Sequence, residues 1–558
     1  MAKGELPADL LLANAKVVNV FTGEIEPGNV TIWGDRIAGI GEYRQAKEVL
    51  DLAGKYIAPG LINGHVHLES SMLEPGQYAR AVVPRGTSAV VTDLHEIANV
   101  CGIEGIRYIV NCARRLPLEL FLMAPSCVPA TPLETSGASI GPRDIRALLR
   151  WKNCIGLGEV MNFPGVINAN ADVLSKIDLA SNKIVDGHAP GITGKDLNAY
   201  IAAGIYSDHE SVSLDEAREK LSKGMFVMIR EGSSEKNLDA LLPLVTDKTY
   251  KRCLFVVDDR SCVDLLRDGD IDAVVRKAIH RGLDPVRAIQ MATINPAEYF
   301  RLNGLGAIAP GYQANLIVIG DLSQLQVEMV FYRGRLVAKQ GTSLFPSYQP
   351  SDKGLTNTVN IKPFNIEALR LLARGDTEPV IEIVPGQIIT RKRMEKMKAT
   401  GGVIAPDTDR DILKLVVIER HRATGNIGLG LVMGFGLKRG ALASSIAHDS
   451  HNIIAVGTND GDIYTAVKEI ERFGGGLVVA VDGKVLAALP LPIAGLLSDK
   501  PLETVVARLE RLEQLARDLG TTLPSPFSTL SFLALPVIPE LRLTDLGLVD
   551  VKEFKLIR

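Results

Sequence analysis

Tyr56-Ile-Ala-Pro-Gly-Leu-Ile-Asn-Gly-His-Val-His-Leu-Glu69 is the stretch on which the reading of this chain turns. Its first half is apolar enough for a buried strand, and its end carries His65 and His67. In an extended strand successive side chains alternate faces, so the two imidazoles point the same way, about 7 Å apart by the strand rise. Two imidazoles on one face can grip one cation. An isolated His-x-His also arises as two polar residues on the solvent face of an edge strand. The rest of the chain favours the cation, because it supplies further ligand types at strand ends.

Working outward, residues 57–302 alternate short apolar runs with helical patterns. Beyond the first run, strands are expected at 89–92, 118–123, 155–158, 184–186, 205–207, 225–229 and 254–257, with helices such as 194–203 and 213–223 between them. Eight strand-helix units in this length are what a (β/α)8 TIM-like barrel requires, and that fold places its chemistry at the C-terminal strand ends. Polar groups fall there: His65 and His67, Asp93 with His95 and Glu96, Glu159, His188, His209, and Asp258-Asp259. Five of the nine histidines lie at these ends. Chance placement would scatter them.

Residues 1–56 read as strands and turns, with Gly34-Asp35 as a hairpin signal. Strand patterns return at 306–311, 314–319 and 327–332. Residues 1–56 and 303–345 are therefore expected to form one small β-sandwich interrupted by the barrel at 57–302. A polar linker at 346–360 and a C-terminal α+β domain at 361–558 follow, with helices near 466–472 and 502–519. The fold class is α/β.

Composition narrows the function. A net charge of -3 argues against a general nucleic-acid binder, which needs a basic face. No segment approaches the ~20 apolar residues of a membrane helix. The N-terminus lacks an apolar signal core, so a cytoplasmic location is expected. Six irregularly spaced cysteines suggest neither a zinc knuckle nor a disulfide framework, and Cys127 is the one expected to face a site.

The chain resembles the amidohydrolase superfamily and, within it, the bacterial adenine deaminases. The resemblance rests on Gly64-His-Val-His-Leu-Glu-Ser-Ser71, Val91-Thr-Asp-Leu-His-Glu-Ile-Ala-Asn-Val-Cys-Gly102, Gly158-Glu-Val-Met-Asn162, Asp186-Gly-His-Ala-Pro-Gly191, Ser207-Asp-His-Glu-Ser211, Arg230-Glu-Gly-Ser-Ser234, Asp258-Asp-Arg260, Ser445-Ile-Ala-His-Asp-Ser-His-Asn452 and Val456-Gly-Thr-Asn-Asp460. It spans nearly the whole chain. It implies that His65 and His67 hold one divalent ion, His188 and His209 a second, and that Glu159 bridges them in place of the carboxylated lysine of many relatives. Mn²⁺ or Fe²⁺ is implied by the family, and Zn²⁺ is compatible with the donor set. A cation lowers the pKa of its water toward ~7, and the resulting hydroxide would attack C6 of adenine, giving hypoxanthine and ammonia.

Ammonia departs only after protonation, and the ring nitrogen beside C6 also needs a proton. Asp258 is the expected proton carrier, with Asp259 as the alternative. Glu96 and His95 serve the ring nitrogen, orient the purine or add a ligand to a metal. Glu69, Ser70 and Ser71 are candidate partners for the outer nitrogens of the first-strand histidines. Arg230, Glu231 and Ser233 are expected to line the substrate pocket. His448, Asp449 and His451, taken alone, suggest another metal site, whereas the resemblance makes them part of a loop over the barrel mouth that binds substrate. The expected partners are adenine, water and a second copy of the chain, with no nucleic acid or membrane. A hydrolase of cyclic amides, and a scaffold that lost its metals, are the alternative readings.

Overall fold

The computed structural model describes residues 1–346 and 355–557. Of the linker expected at 346–360, residues 347–354 lie outside the described ones. The first sheet joins both ends of the N-terminal half. Ala8–Asn19, Glu24–Trp33, Arg36–Gly41, Ala46–Asp51 and Tyr56–Pro59 combine with Leu316–Ile319, Val327–Tyr332, Arg335–Lys339 and Thr342–Ser343 in nine strands. Gly34, at φ 61°, makes the expected hairpin turn.

The expected sandwich of two sheets is instead one forked sheet. Along one edge of Ala8–Asn19, residues 8–13 pair with Ala46–Asp51, whereas Lys16 and Val17 pair with Tyr56–Pro59. The fork wraps the sheet around its own core of Leu12, Val17, Val30, Ile32, Leu316 and Phe331. Residues 306–311 form no strand. Pro310 lacks a ladder donor, and the segment is fastened instead by the Gly311 N–H on the Ile37 carbonyl at 2.8 Å.

Next come parallel strands with helices between them, a TIM-barrel-like arrangement. They are Leu61–Asn63 with Val66–His67, Thr87–Thr92, Glu119–Pro125, Cys154–Val160, Ile184–Gly187, Ser207–Asp208, Phe226–Arg230, and Cys253–Val256 with Asp258–Asp259. Neighbours pair in parallel from Leu61–Asn63 through Ile184–Gly187, and again from Ser207–Asp208 through Cys253–Val256. Between these groups the Gly187 N–H donates to Ser207 Oγ at 3.2 Å. Asp258 pairs with Val66, so the last segment lies beside the first. Helices begin where polar caps occur: Ser213 Oγ accepts the Glu216 N–H ahead of Leu214–Ser222.

The C-terminal domain is built on an eight-stranded sheet covered by Asp460–Phe473, Leu502–Asp518 and Pro526–Phe532. It is fastened to the parallel-strand domain by polar contacts. Asn452 Nδ2 donates to the Thr135 carbonyl at 2.8 Å, Thr544 Oγ1 to the Leu133 carbonyl at 2.7 Å, and the Ser498 N–H to the Met72 carbonyl at 2.8 Å. Apolar side chains from both domains merge in one buried cluster. Among the described residues, no helix is long and apolar enough to cross a membrane.

Tight backbone approach makes a stability prediction. A Cβ on Gly156 would stand 2.3 Å from the Ile184 carbonyl oxygen on the adjacent strand. Gly156→Ala should lower unfolding stability by about 1–3 kcal/mol, the usual cost of overpacking. Thermal or denaturant unfolding monitored by circular dichroism checks this.

Candidate metal centre

Glu159 stands at the end of Cys154–Val160, and its two oxygens face two pairs of histidines. Oε1 lies 3.3 Å from His67 Nε2 and 3.8 Å from His65 Nε2. Oε2 lies 2.6 Å from His188 Nδ1 and 3.0 Å from His209 Nε2. The first strand breaks at Gly64-His65, and Nε2 of His65 and His67 approach to 3.1 Å, closer than an uninterrupted strand would hold them. Asp258 completes the group, with Oδ1 3.2 Å from His67 Nε2 and 3.5 Å from His65 Nε2. The resulting clusters of buried imidazoles and carboxylates are dense enough for cation coordination. Their donor types fit a divalent ion of the first transition row.

Surrounding groups hold these ligands. Asp93 accepts from the His95 ring at 2.9 Å and from the Glu159 N–H at 3.0 Å, and its Oδ1 lies 3.2 Å from His67 Nδ1. A carboxylate on the outer nitrogen fixes an imidazole's tautomer and aim. Asp93 takes the place expected for Glu69, Ser70 and Ser71, which are engaged with the Ile97 N–H, Asp259 and the Leu68 carbonyl. Buried Lys220 donates to Asp208 at 2.8 Å, Glu216 at 2.7 Å and the Ala189 carbonyl at 2.7 Å, tying the segments that carry His209 and His188.

Asp258, rather than Asp259, faces the imidazoles. Its Oδ2 accepts from Arg230 Nη1 at 2.9 Å, and Arg230 also pairs with Glu210. Asp259 accepts from Ser70. Arg260 is spent on the carbonyls of Gly269 and Glu231, so it does not pair with Asp258.

Glu231 and Ser233 depart from expectation. Strand alternation turns Arg230 inward and Glu231 outward, where Glu231 accepts from the Leu238 N–H at 3.0 Å and from Lys277 at 2.6 Å. Ser233 is bound to Asp264 and accepts the Ser261 N–H at 2.9 Å. Neither lines the metal cavity. Cys127 is also outside it, buried beside Ser126 with its thiol pKa pushed up by burial.

The cavity wall holds residues that sequence reasoning missed. Ile388, Phe532, Leu535 and Ile538 of the C-terminal domain form an apolar roof over the histidines, Met161 adds a further apolar side chain, and Glu210 and Glu235 join the polar side. Of these, Glu210, next to His209, and Met161, two residues after Glu159, stood inside motifs. His448 reaches the cavity from the same chain: it stacks on Phe532 with ring centroids 4.5 Å apart, and its Nδ1 lies 2.7 Å from Glu96 Oε1. His451 also pairs with Glu96. His95 Nε2 lies 3.3 Å from Glu96 and 3.9 Å from Asp449.

Electrostatics follow from burial among opposite charges. Burial disfavours the charged imidazole of His209, but Glu159 outweighs it and raises the pKa to about 9. Burial likewise opposes ionisation of Glu159, yet His209 and His188 hold its carboxyl well below the usual range. His448 is raised to about 9 by Glu96 against burial, whereas burial brings His451 down to about 4. Without bound ions, His209 keeps its proton until the pH passes about 9, so a cation must displace that proton to bind. Affinity of stripped protein for Mn²⁺ should therefore rise from pH 6 toward pH 9, by about tenfold per pH unit for each proton displaced. Titration calorimetry in buffers of different ionisation enthalpy measures both the affinity and the protons released.

Comparison with known proteins agrees with this arrangement. Residues 56–337 match the family model described as the amidohydrolase family, and residues 387–555 the one described as the adenine deaminase C-terminal domain. An adenine deaminase of Dehalococcoides mccartyi is 64% identical, covering 100% of this chain and 98% of the relative. Adenine deaminase 2 of Carboxydothermus hydrogenoformans is 50% identical, with 100% and 98% covered. Among solved structures, a β-aspartyl dipeptidase of Fervidobacterium islandicum AW-1 is 19% identical over 61% of this chain and 100% of that one, at a TM-score of 0.46. On the sequence matches, the chain belongs to the amidohydrolase family, in its adenine deaminase branch.

Proposed function

We infer that the protein hydrolyses adenine to hypoxanthine and ammonia. The observation that carries this is the convergence of His65, His67, Glu159, His188, His209 and Asp258 in adjoining clusters, all but His65 lining one cavity, in a chain alike from end to end to adenine deaminases. His65 and His67 would hold one divalent ion and His188 and His209 another, with Glu159 between them. Mn²⁺ or Fe²⁺ suits this mixture of imidazole and carboxylate, and Zn²⁺ is also accommodated. When bound, such ions make water a nucleophile at neutral pH.

The chain's own groups supply the rest. Asp258 accepts the proton of the attacking water and passes it to the departing amine, which leaves as neutral ammonia. Its position supports that role, since Oδ1 lies among the histidines while Oδ2 is anchored by Arg230 at 2.9 Å. Burial opposes charge on this carboxylate, but His65, His67 and Arg230 hold its pKa well below the ordinary range, so it enters as the base. The ring nitrogen beside C6 needs a proton or positive charge close by, and His95 and Glu96 are among the polar groups that line the cavity. The flat apolar roof of Ile388, Phe532, Leu535 and Ile538 suits a purine face and excludes bulk water.

We assign the metal-binding half of the reaction to residues 57–302 and the roof to residues 361–558, with 1–56 and 303–345 as the supporting β domain. The irregular spacing of the six cysteines suggests no disulfide framework and is consistent with a reducing, cytoplasmic setting.

The test is ammonia release from adenine by metal-stripped protein reloaded with Mn²⁺ or Fe²⁺. Turnover to hypoxanthine should require the metal. His65→Asn should lose it together with bound ion, and Asp258→Asn should keep its ions while kcat falls by about 10²–10⁴, the usual worth of a positioned acid-base group. No turnover of adenine with either metal would overturn the assignment, and cyclic amides would then be assayed.

A further inference from the structure

Glu159 is not the only carboxylate here ringed by imidazoles. Its oxygens meet nitrogens of His67, His188 and His209 at 3.3, 2.6 and 3.0 Å. Those of Glu96 meet His95 Nε2 at 3.3 Å, His448 Nδ1 at 2.7 Å and, closer still, His451 Nε2. Asp449 adds a second carboxylate, 3.9 Å from His95 Nε2. Each arrangement sets a glutamate among imidazoles, four around Glu159 and three around Glu96, so seven of the nine histidines in the chain belong to one or the other.

We propose that His95, Glu96 and Asp449, assisted by His448 and His451, form a further divalent-cation site on the seam between the two large domains. Three observations carry this. His95 is prepared as metal ligands usually are: its Nδ1 is held by Asp93 at 2.9 and 3.0 Å, which leaves Nε2 facing inward. Asp93 also flanks His67, so one carboxylate serves both groups. Nε2 thereby faces the carboxylates of Glu96 and Asp449, where a proton or a cation has to lie between nitrogen and oxygen.

Unsatisfied atoms point the same way. Asp449 Oδ2, on a residue 2% exposed, has no hydrogen-bond partner among the described residues. Glu96 Oε2 is buried against His451 Nε2, whose ring accepts the Ala447 N–H at Nδ1 (3.2 Å). A buried carboxylate left unpaired is costly, and a cation satisfies several such oxygens at once. Among the described residues, the ion pairs of Glu96 and Asp449 are to histidines alone, with no lysine or arginine.

Donor chemistry selects the class of ion. Imidazole nitrogen mixed with carboxylate oxygen suits Mn²⁺, Fe²⁺ or Zn²⁺, whereas Ca²⁺ and Mg²⁺ prefer oxygen throughout. Because residues 95 and 96 come from the parallel-strand domain and 448–451 from the C-terminal domain, the ion fastens the roof over the cavity. It also places positive charge beside the region where, on the proposed deamination, the ring nitrogen must be stabilised.

Counting ions tests this without reference to activity. Full-length protein stripped of metal is dialysed to equilibrium against Mn²⁺, and manganese per chain is measured by plasma mass spectrometry. Asp449→Asn should bind one equivalent fewer than the unaltered chain, and Glu159→Gln should still retain one. His448→Gln gives a second reading should Asp449→Asn fold poorly, which circular dichroism reports; it too should lower the count. Equal counts in the unaltered chain and in folded Asp449→Asn and His448→Gln would overturn the proposal and leave a proton as the charge that holds these groups together. Adenine turnover is scored separately, so a chain that binds the extra ion but does not deaminate adenine would refute the substrate and not the site.

Discussion

The carboxylate of Glu159 is the contact around which the parallel strands are arranged. One oxygen faces the imidazoles of the first strand and the other those that follow the fifth and sixth, all buried except the half-buried His188. Concentrating so many titratable groups without water is unfavourable unless charges alternate. Here they do: Glu159 and Asp258 stay ionised because histidines and Arg230 surround them, and His67, His188 and His209 are kept basic against burial by neighbouring carboxylates. The outer supports, Asp93 and the Lys220 network, explain why ligands on separate strands arrive together.

The C-terminal domain is held to this centre by backbone carbonyls as much as by apolar packing. Arg542 is fully buried and donates to the carbonyls of Ile538 at 2.7 Å, Phe532 at 3.0 Å and Ile388 at 2.5 Å, three residues whose side chains roof the cavity. Burial lowers its pKa to about 9, which still leaves it cationic at neutral pH. A rigid guanidinium fork can satisfy three strands of loop at once, a task an ammonium would do poorly. Arg420 acts likewise on the loop of His448 and His451, donating to the carbonyls of His451 and of Ala494. Two buried arginines thus shape the walls from behind, each through carbonyl oxygens.

Local patterns made much of this legible. The parallel strands, the helices 194–203 and 213–223, and the hairpin at Gly34-Asp35 are set by apolar periodicity, caps and glycine turns, all short-range. Ligand positions could be read because strand ends carry them in compact motifs. Elsewhere the pattern misled. The fork in the first sheet depends on two strands sharing one edge of a longer one, which alternation does not encode. Residues 306–311 are apolar enough for a strand, but they touch the Arg36–Ile37 segment only at Gly311 and form no ladder. Glu231 and Ser233 lie beside Arg230 in a polar run, yet alternation and nearby partners turn them elsewhere.

By itself, the sequence determined which titratable side chains stand at the strand ends and the order of strands and helices, because each depends on residues close together in the chain. Only the tertiary structure decided which oxygen of Glu159 serves which histidines, that Asp258 and not Asp259 faces them, and that Asp93 supports two imidazoles. It alone joined Glu96 to His448 and His451 and set Ile388, Phe532 and Ile538 over the cavity. These contacts link residues hundreds of positions apart, and their geometry is set by packing between domains, which no local periodicity records.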